Sequence, residues 1–167
     1  MDGQIIRCPW ADRSPLERAY HDRVWGVPLH DEQGLFGMLC LEGMQAGLSW
    51  STILFKMGAL RTAFDDFDPL IVAEYDERKI AELMETEGII RNRLKIRTMV
   101  RNARAYLRLR EEHGTLDDFL WRYVDFTPLV NAWREAGEIP ARTPLSERIS
   151  RDLKRLGFGF VGPTIIY

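Results

Sequence analysis

At 167 residues, 46% hydrophobic and 29% charged, the chain is sized for a single domain, 1–167, that buries a real core, and disorder is excluded. No apolar run approaches the roughly 18 residues of a membrane helix, and the opening, with Asp2, Gln4 and Arg7 around two isoleucines, lacks a signal peptide's apolar core. A cytoplasmic location with no membrane partner is therefore expected; the net charge of −2 argues against a wholesale polyanion binder, and Cys8 and Cys40 suit free thiols better than a disulfide scaffold.

In chain order the elements read helical. Ser14-Pro15-Leu16-Glu17 joins a capping-box pattern to proline at the first helical position, and Gly26 should end that helix. A second helix is predicted from near Asp31 through Leu35–Leu41 to Gly43. A third follows Ser49, with Ile53, Met57, Leu60 and Phe64 at helical spacing. Asp68-Pro69 opens a fourth, and Ile80, Leu83 and Met84 mark a short fifth that stops at Gly88. The longest should begin near Asn92, with Ile96, Met99, Val100, Ala103 and Leu107 as its buried stripe. Thr115 to Asp118 starts another, Pro128 and Pro140 bracket an irregular link around Trp133, and Thr143-Pro144 opens a helix closed by Gly157. After Gly162-Pro163, Thr164 to Tyr167 reads as a single helical turn, too short to bury a useful face. No period-2 strand stands out, so the fold class is all-α.

Charge is unevenly distributed. Arg91, Arg93, Lys95, Arg97, Arg101, Arg104, Arg108 and Arg110 form a run with no acid inside it, whereas Asp65 to Glu87 is strongly acidic. The turn Gly88-Ile89-Ile90-Arg91-Asn92 would feed free backbone N–H groups at a helix N-terminus toward a phosphate, with those arginines around it. The plain alternative is an ordinary turn followed by a solvated basic face. Glu42 lies in an apolar helix end, where a carboxylate is costly to bury unless something binds it. It suits a general base or a hydrogen-bond acceptor, and a solvent-facing glutamate is the simpler reading. Trp10, Tyr20, Trp25 and Trp50 offer ring faces for bases or cations, or ordinary core packing. Cys8 and His21 are half of a possible zinc site, since structural zinc wants four ligands.

Taken together, these segments resemble one family. Arg7-Cys8-Pro9-Trp10, Ala19-Tyr20-His21-Asp22 and Trp25-Gly26-Val27-Pro28 look like the N-terminal signature of type I 3-methyladenine DNA glycosylases. Cys40-Leu41-Glu42-Gly43, Gln45 to Trp50, Gly88 to Arg93, Asn102 to Tyr106 and Gly157 to Thr164 continue the pattern in order. The resemblance spans Cys8 to Tyr167. It implies a helical bundle of the helix-hairpin-helix DNA glycosylase type that flips and hydrolytically releases 3-methyladenine from alkylated double-stranded DNA. It implies catalytic contacts from Glu42 and Tyr20 to the base edge, Trp50 stacked on its face, and Trp10 and Trp25 as pocket walls. The turn of Gln45, Gly47 and Leu48 would approach the gap in the duplex, and Gly88, Ile90, Arg91, Asn92, Arg93 and Lys95 would hold the backbone. The free base would be the product, and a monomer is expected.

Many helix-hairpin-helix glycosylases place an aspartate one long helix beyond the hairpin. Here that stretch is Leu109-Arg110-Glu111-Glu112-His113, and the type I family is similar in lacking the aspartate. Two departures stand out. The family usually has an arginine where Met57 stands. Its structural zinc site also needs a late His-x-x-x-Cys pair on a final helix, which is not among these residues, so only Cys8 and His21 of four expected ligands are present. Two competing readings remain: a helix-hairpin-helix protein that recognises damaged DNA without excising a base, and a helical protein with no nucleic-acid role. The acid-free basic run counts against the second.

Overall fold

The computed structural model describes residues 7–167; Asp2 and Gln4, used above for the signal-peptide reading, lie outside the described residues. Helices α1 (Pro15–Arg23), α2 (Glu32–Gln45), α3 (Trp50–Ala63), α4 (Pro69–Ala73), α5 (Glu77–Glu85), α6 (Arg93–His113), α7 (Leu116–Trp121), α8 (Pro144–Arg155) and α9 (Pro163–Ile166) follow one another, with no strand among the described residues. The all-α reading therefore holds, and no helix is long and apolar enough to cross a membrane.

The starts of the helices are local chemistry. Ser14, Asp31, Ser49, Asp68, Asp76, Asn92, Thr115 and Thr143 each accept a hydrogen bond from a first-turn backbone N–H. Each such cap is worth about 1 kcal/mol. The box at Ser14 departs from the pattern in one respect. Glu17 turns inward, and its two carboxylate oxygens accept from the hydroxyls of Ser14 and Ser51. A residue expected to cap α1 instead ties α1 to α3.

The long helix α6 is the spine. Ile96, Met99, Val100, Ala103, Tyr106 and Leu109 are buried along it, a broader stripe than periodicity indicated, against Phe36, Leu39 and Cys40 of α2 and Val72 of α4. Asn102 is buried in its middle and clamps Gly159 by both groups: Gly159 N donates to Oδ1 at 2.7 Å and Nδ2 donates to the Gly159 carbonyl at 3.1 Å. A Cβ at Gly159 would stand 2.7 Å from Thr98 Cγ2 and on top of the Arg101 guanidinium, so only glycine fits. Ser150 Oγ secures the same segment through the Val161 carbonyl at 2.6 Å. The single turn α9 does more than expected, because Ile166 packs on the core.

Candidate active site

Two turns and one aromatic cluster define the site. Glu42 sits in the last two turns of α2, on the wall of a cavity of about 300 Å³ that Tyr20, Trp25, Pro28, Leu29 and Met38 also line. Its carboxyl is pushed up to about 7, and burial is the cause, with no hydrogen bond or ion pair to offset it. Tyr20, on α1, is buried beside it. Burial first, and then the nearby Glu42 charge, push its phenol up to about 12, so it stays protonated at neutral pH. The segment between α1 and α2 that walls this cavity is pinned from outside. Trp121 Nε1 donates to the Leu29 carbonyl at 3.0 Å, and His30 stacks on that indole 4.4 Å away.

The aromatic residues form a chain rather than a ring around one ligand. Trp50 packs on Tyr20 with centroids 5.4 Å apart, and Trp10 meets Trp25 edge-on at 5.4 Å. Trp25 lines the cavity and is 48% exposed. Trp50 and Trp10 border it through Tyr20, one ring removed from Glu42. The Trp50 indole N–H opposes the rise of the Tyr20 phenol but is not aligned for a hydrogen bond, and Nε1 is buried without a partner. A buried donor and a half-buried carboxylate, both unengaged, flank the same tyrosine.

The turn after α2 brings Gly47 and Leu48 to the surface, with Gly47 at φ +76° and open space where a side chain would be. Gln45 does not reach outward. Its Nε2 donates to the Leu48 carbonyl at 2.8 Å and braces the turn.

The hairpin joins α5 to α6 through Gly88 at φ +83°, a left-handed conformation that favours glycine. Arg91 and Arg93 are exposed there, Ile90 is half-buried and Gly88 is exposed. Asn92 and Lys95, expected as DNA contacts, both make bonds within the protein, and Asn92 stays exposed while Lys95 does not. Asn92 Oδ1 accepts from Lys95 N and so caps α6. Lys95 is only 8% exposed, and its ammonium donates to the carbonyls of Met44 at 2.7 Å and Ala46 at 2.6 Å. Much of the basic run is likewise engaged with the protein. Arg97 pairs with Glu77 at 2.7 Å, Arg104 donates to the carbonyls of Ala73 and Tyr75, and Arg108 donates to that of Leu156. The run without acids in sequence finds its acid on α5 and its acceptors on backbone carbonyls. That leaves Arg91 as the outward cation of the hairpin, with Arg93 sharing Glu77 at 3.8 Å, while the exposed Arg23 lines the pocket itself.

Cys8 and His21 do come together: Cys8 N donates to His21 Nε2 at 3.4 Å, while Nδ1 meets Asp22 Oδ1 at 3.0 Å. Among the described residues no group of three or more metal-ligating side chains forms. Cys8 and His21 are two of the four ligands a structural zinc ion takes, His21 Nε2 is occupied by Cys8 N, and the Nδ1–Asp22 contact is of the kind that orients a metal-bound histidine, so the described residues do not by themselves complete a site. Met57 packs half-buried on the core, and Glu111 and Glu112 are exposed at the far end of α6. A larger cavity, about 700 Å³, lies elsewhere around Tyr123, Arg148 and Asp152, but its Asp152 already holds Tyr123 and Arg155.

An all-α bundle with a hairpin leading into a long helix, and an aromatic pocket holding one unpaired carboxylate, defines a helix-hairpin-helix base-recognition protein. Comparison with known proteins narrows this. Residues 10–167 match the sequence profile of the methyladenine glycosylase family, and the chain belongs to that family. It is 46% identical over 161 residues to DNA-3-methyladenine glycosylase 1 of Escherichia coli K12, covering 96% of this chain and 86% of that protein. A crystal structure of 3-methyladenine DNA glycosylase I superposes with a TM-score of 0.94 at 44% identity, covering 97% of this chain and 89% of that one. The Staphylococcus aureus enzyme, solved for the structural basis of 3-methyladenine recognition, gives 0.93 at 38% identity over 96% and 85%.

Proposed function

We infer that this chain is a DNA-3-methyladenine glycosylase of base-excision repair, and the observation that carries the reading is the unpaired Glu42 carboxylate in a pocket walled by rings and apolar side chains, with Arg23 the other charged group on its lining and not bonded to it. An adenine methylated at N3 in DNA carries a positive charge. A lone carboxylate among aromatic faces favours that cation over neutral adenine. The base must leave the stack to arrive there, which the exposed turn at Gly47 and Leu48 and the hairpin arginines support.

Little further activation is needed. When the bond from the sugar C1′ to N9 breaks, its electron pair neutralises the base, which departs as free 3-methyladenine. Water adds to C1′ and loses a proton. Glu42 accepts from the base's amino edge, the protonated Tyr20 offers a phenolic hydrogen, and the absence of an aspartate in the 109–113 stretch accords with a good leaving group. Incubating the chain with methylated double-stranded DNA should release 3-methyladenine and leave undamaged adenine in place. Failure to release it from DNA that a known glycosylase depurinates would overturn the reading.

A further inference from the structure

The two turns that face DNA under the functional reading above are held by lysines that cross between them. Lys95 lies on the first turn of α6, immediately after the hairpin, yet its ammonium reaches the end of α2. The carbonyls it holds, Met44 and Ala46, flank Gln45 and lead directly into Gly47. Lys56 lies on α3, immediately after the 46–49 turn, and its Nζ donates to the carbonyl of Gly88 at 2.9 Å, the hairpin residue with φ +83°. Each turn is thus anchored by a side chain from the helix that the other turn introduces.

A lysine at a helix C-terminus is ordinarily a solvated charge worth a few tenths of a kcal/mol to about 1 kcal/mol. Lys95 is buried, and burial lowers its pKa, so its place carries a desolvation cost that an exposed cap would avoid. It has no carboxylate partner within 4.0 Å among the described residues, and the carbonyl oxygens supply its acceptors. The site gains a fixed spacing in return: the helix end that carries Glu42, the turn that meets the gap and the hairpin that grips the backbone become one rigid body.

We propose that Lys95 and Lys56 form a crossed clamp that keeps the 46–49 turn and the hairpin in register, and that both are positioning residues for base extrusion. The inference rests on the glycosylase reading. If backbone grip and gap entry must occur together, loosening either anchor slows extrusion without changing the pocket's chemistry.

The test begins with Lys56→Met, because Lys56 is on the surface and its loss leaves the core intact. Single-turnover release of 3-methyladenine from methylated duplex should fall on the order of tenfold, the scale of one hydrogen bond to a charged group. Affinity for free 3-methyladenine and the thermal midpoint should stay at wild-type values, and Lys56→Arg, which can still reach the Gly88 carbonyl, should restore the rate. Lys95→Met should slow release at least as far, and the double variant should be no slower than Lys95→Met alone, because a clamp broken once is already open. Wild-type release by Lys56→Met, or multiplied losses in the double variant, would overturn the clamp. Should Lys95→Met not fold, the Lys56 variants decide alone. Should the wild-type chain release no base, the glycosylase reading fails instead, and amide exchange judges the clamp separately. Lys56→Met should speed exchange in residues 46–49 and 86–92 together, and acceleration confined to the hairpin would refute the coupling.

Discussion

Two glutamates, one buried and one half-buried, show how this chain treats a carboxylate drawn out of water. Glu17, in the seam between α1 and α3, accepts from two serine hydroxyls, and those bonds hold its carboxyl below the usual range. Glu42, in the pocket, accepts from nothing and is pushed up to about 7. The first is a fastening and the second a binding group, and hydrogen-bond engagement tells them apart. The same contrast runs through the cations, where Arg91 faces outward and Arg93 is only loosely paired with Glu77 at 3.8 Å, while Lys95 and Arg104 hold carbonyls.

The sharpest way to break the contrast is Glu42→Gln. Removing the charge should cost about 1.5–3 kcal/mol of preference for the cationic base, read as a ten- to hundredfold slower release. Stability should move the other way. The folded-state carboxyl titrates near 7, above its unfolded value of 4.5. The penalty for ionising it is therefore absent at pH 4, grows as pH rises between those values and is complete above 7. The variant should gain roughly 3 kcal/mol at pH 8 at most, and nothing at pH 4, by chemical denaturation. The wild-type kcat/KM should rise with pH through about 7 and then level off, while the variant's profile stays flat across that interval. A variant no more stable at pH 8 than wild type would remove the claim that Glu42 is strained by burial.

The mirror-image substitution is Glu17→Ala. It leaves the hydroxyls of Ser14 and Ser51 without their acceptor and should lower the thermal midpoint, with release unchanged well below it. Because the Glu17 carboxyl is depressed, its contribution is present above the ordinary carboxylate pKa and fades as pH falls through the lower folded value. The midpoint difference between the two proteins should therefore shrink in strong acid. A loss of release that exceeds the loss of folded protein would place Glu17 in the site.

Among the cations, alanine at Arg91 and Arg93 should flatten the salt dependence of duplex binding by about one unit per lost phosphate contact and leave free-base affinity alone. Arg104→Ala should instead lower the midpoint, since it frees the carbonyls of Ala73 and Tyr75, and keep the salt slope. Equal slopes for all three proteins would erase the distinction. The smallest effect concerns metal. With His21 Nε2 taken by Cys8 N and two ligands at hand, the 167-residue chain is expected to hold no tightly bound zinc, and chelator should not move its midpoint. One chelator-sensitive equivalent by elemental analysis would show that other residues complete a site.

The helix starts were legible in the sequence because a cap is a contact over two or three residues: Ser14, Asp31, Ser49, Asp68, Asn92, Thr115 and Thr143 all perform the expected task. Glu42 and Tyr20 were legible through the order of motifs, and they do share one cavity. What escaped was every long-range bond to a backbone carbonyl. A carbonyl has no residue identity, so nothing in the sequence marks Met44 and Ala46 as acceptors for Lys95, or Gly88 for Lys56. The inward turn of Glu17 escaped for a different reason: its partner has a residue identity, but Ser51 lies 34 residues away and only the fold brings the two together. The left-handed backbone at Asp65, Asp66 and Phe67 carries no sequence signal either, because none of the three is glycine.

Gly159 has a consequence on the clock as well as in space. Its N–H sits outside any helix, yet it donates to the buried Asn102 with no room for water to intervene. Such an amide meets solvent only when α6 separates from the segment that follows α8, an event close to global unfolding. In deuterium exchange a loop proton should therefore be among the slowest in the molecule. That single resonance then serves as a built-in gauge of total stability, readable without denaturant and unaffected by fraying at either functional turn.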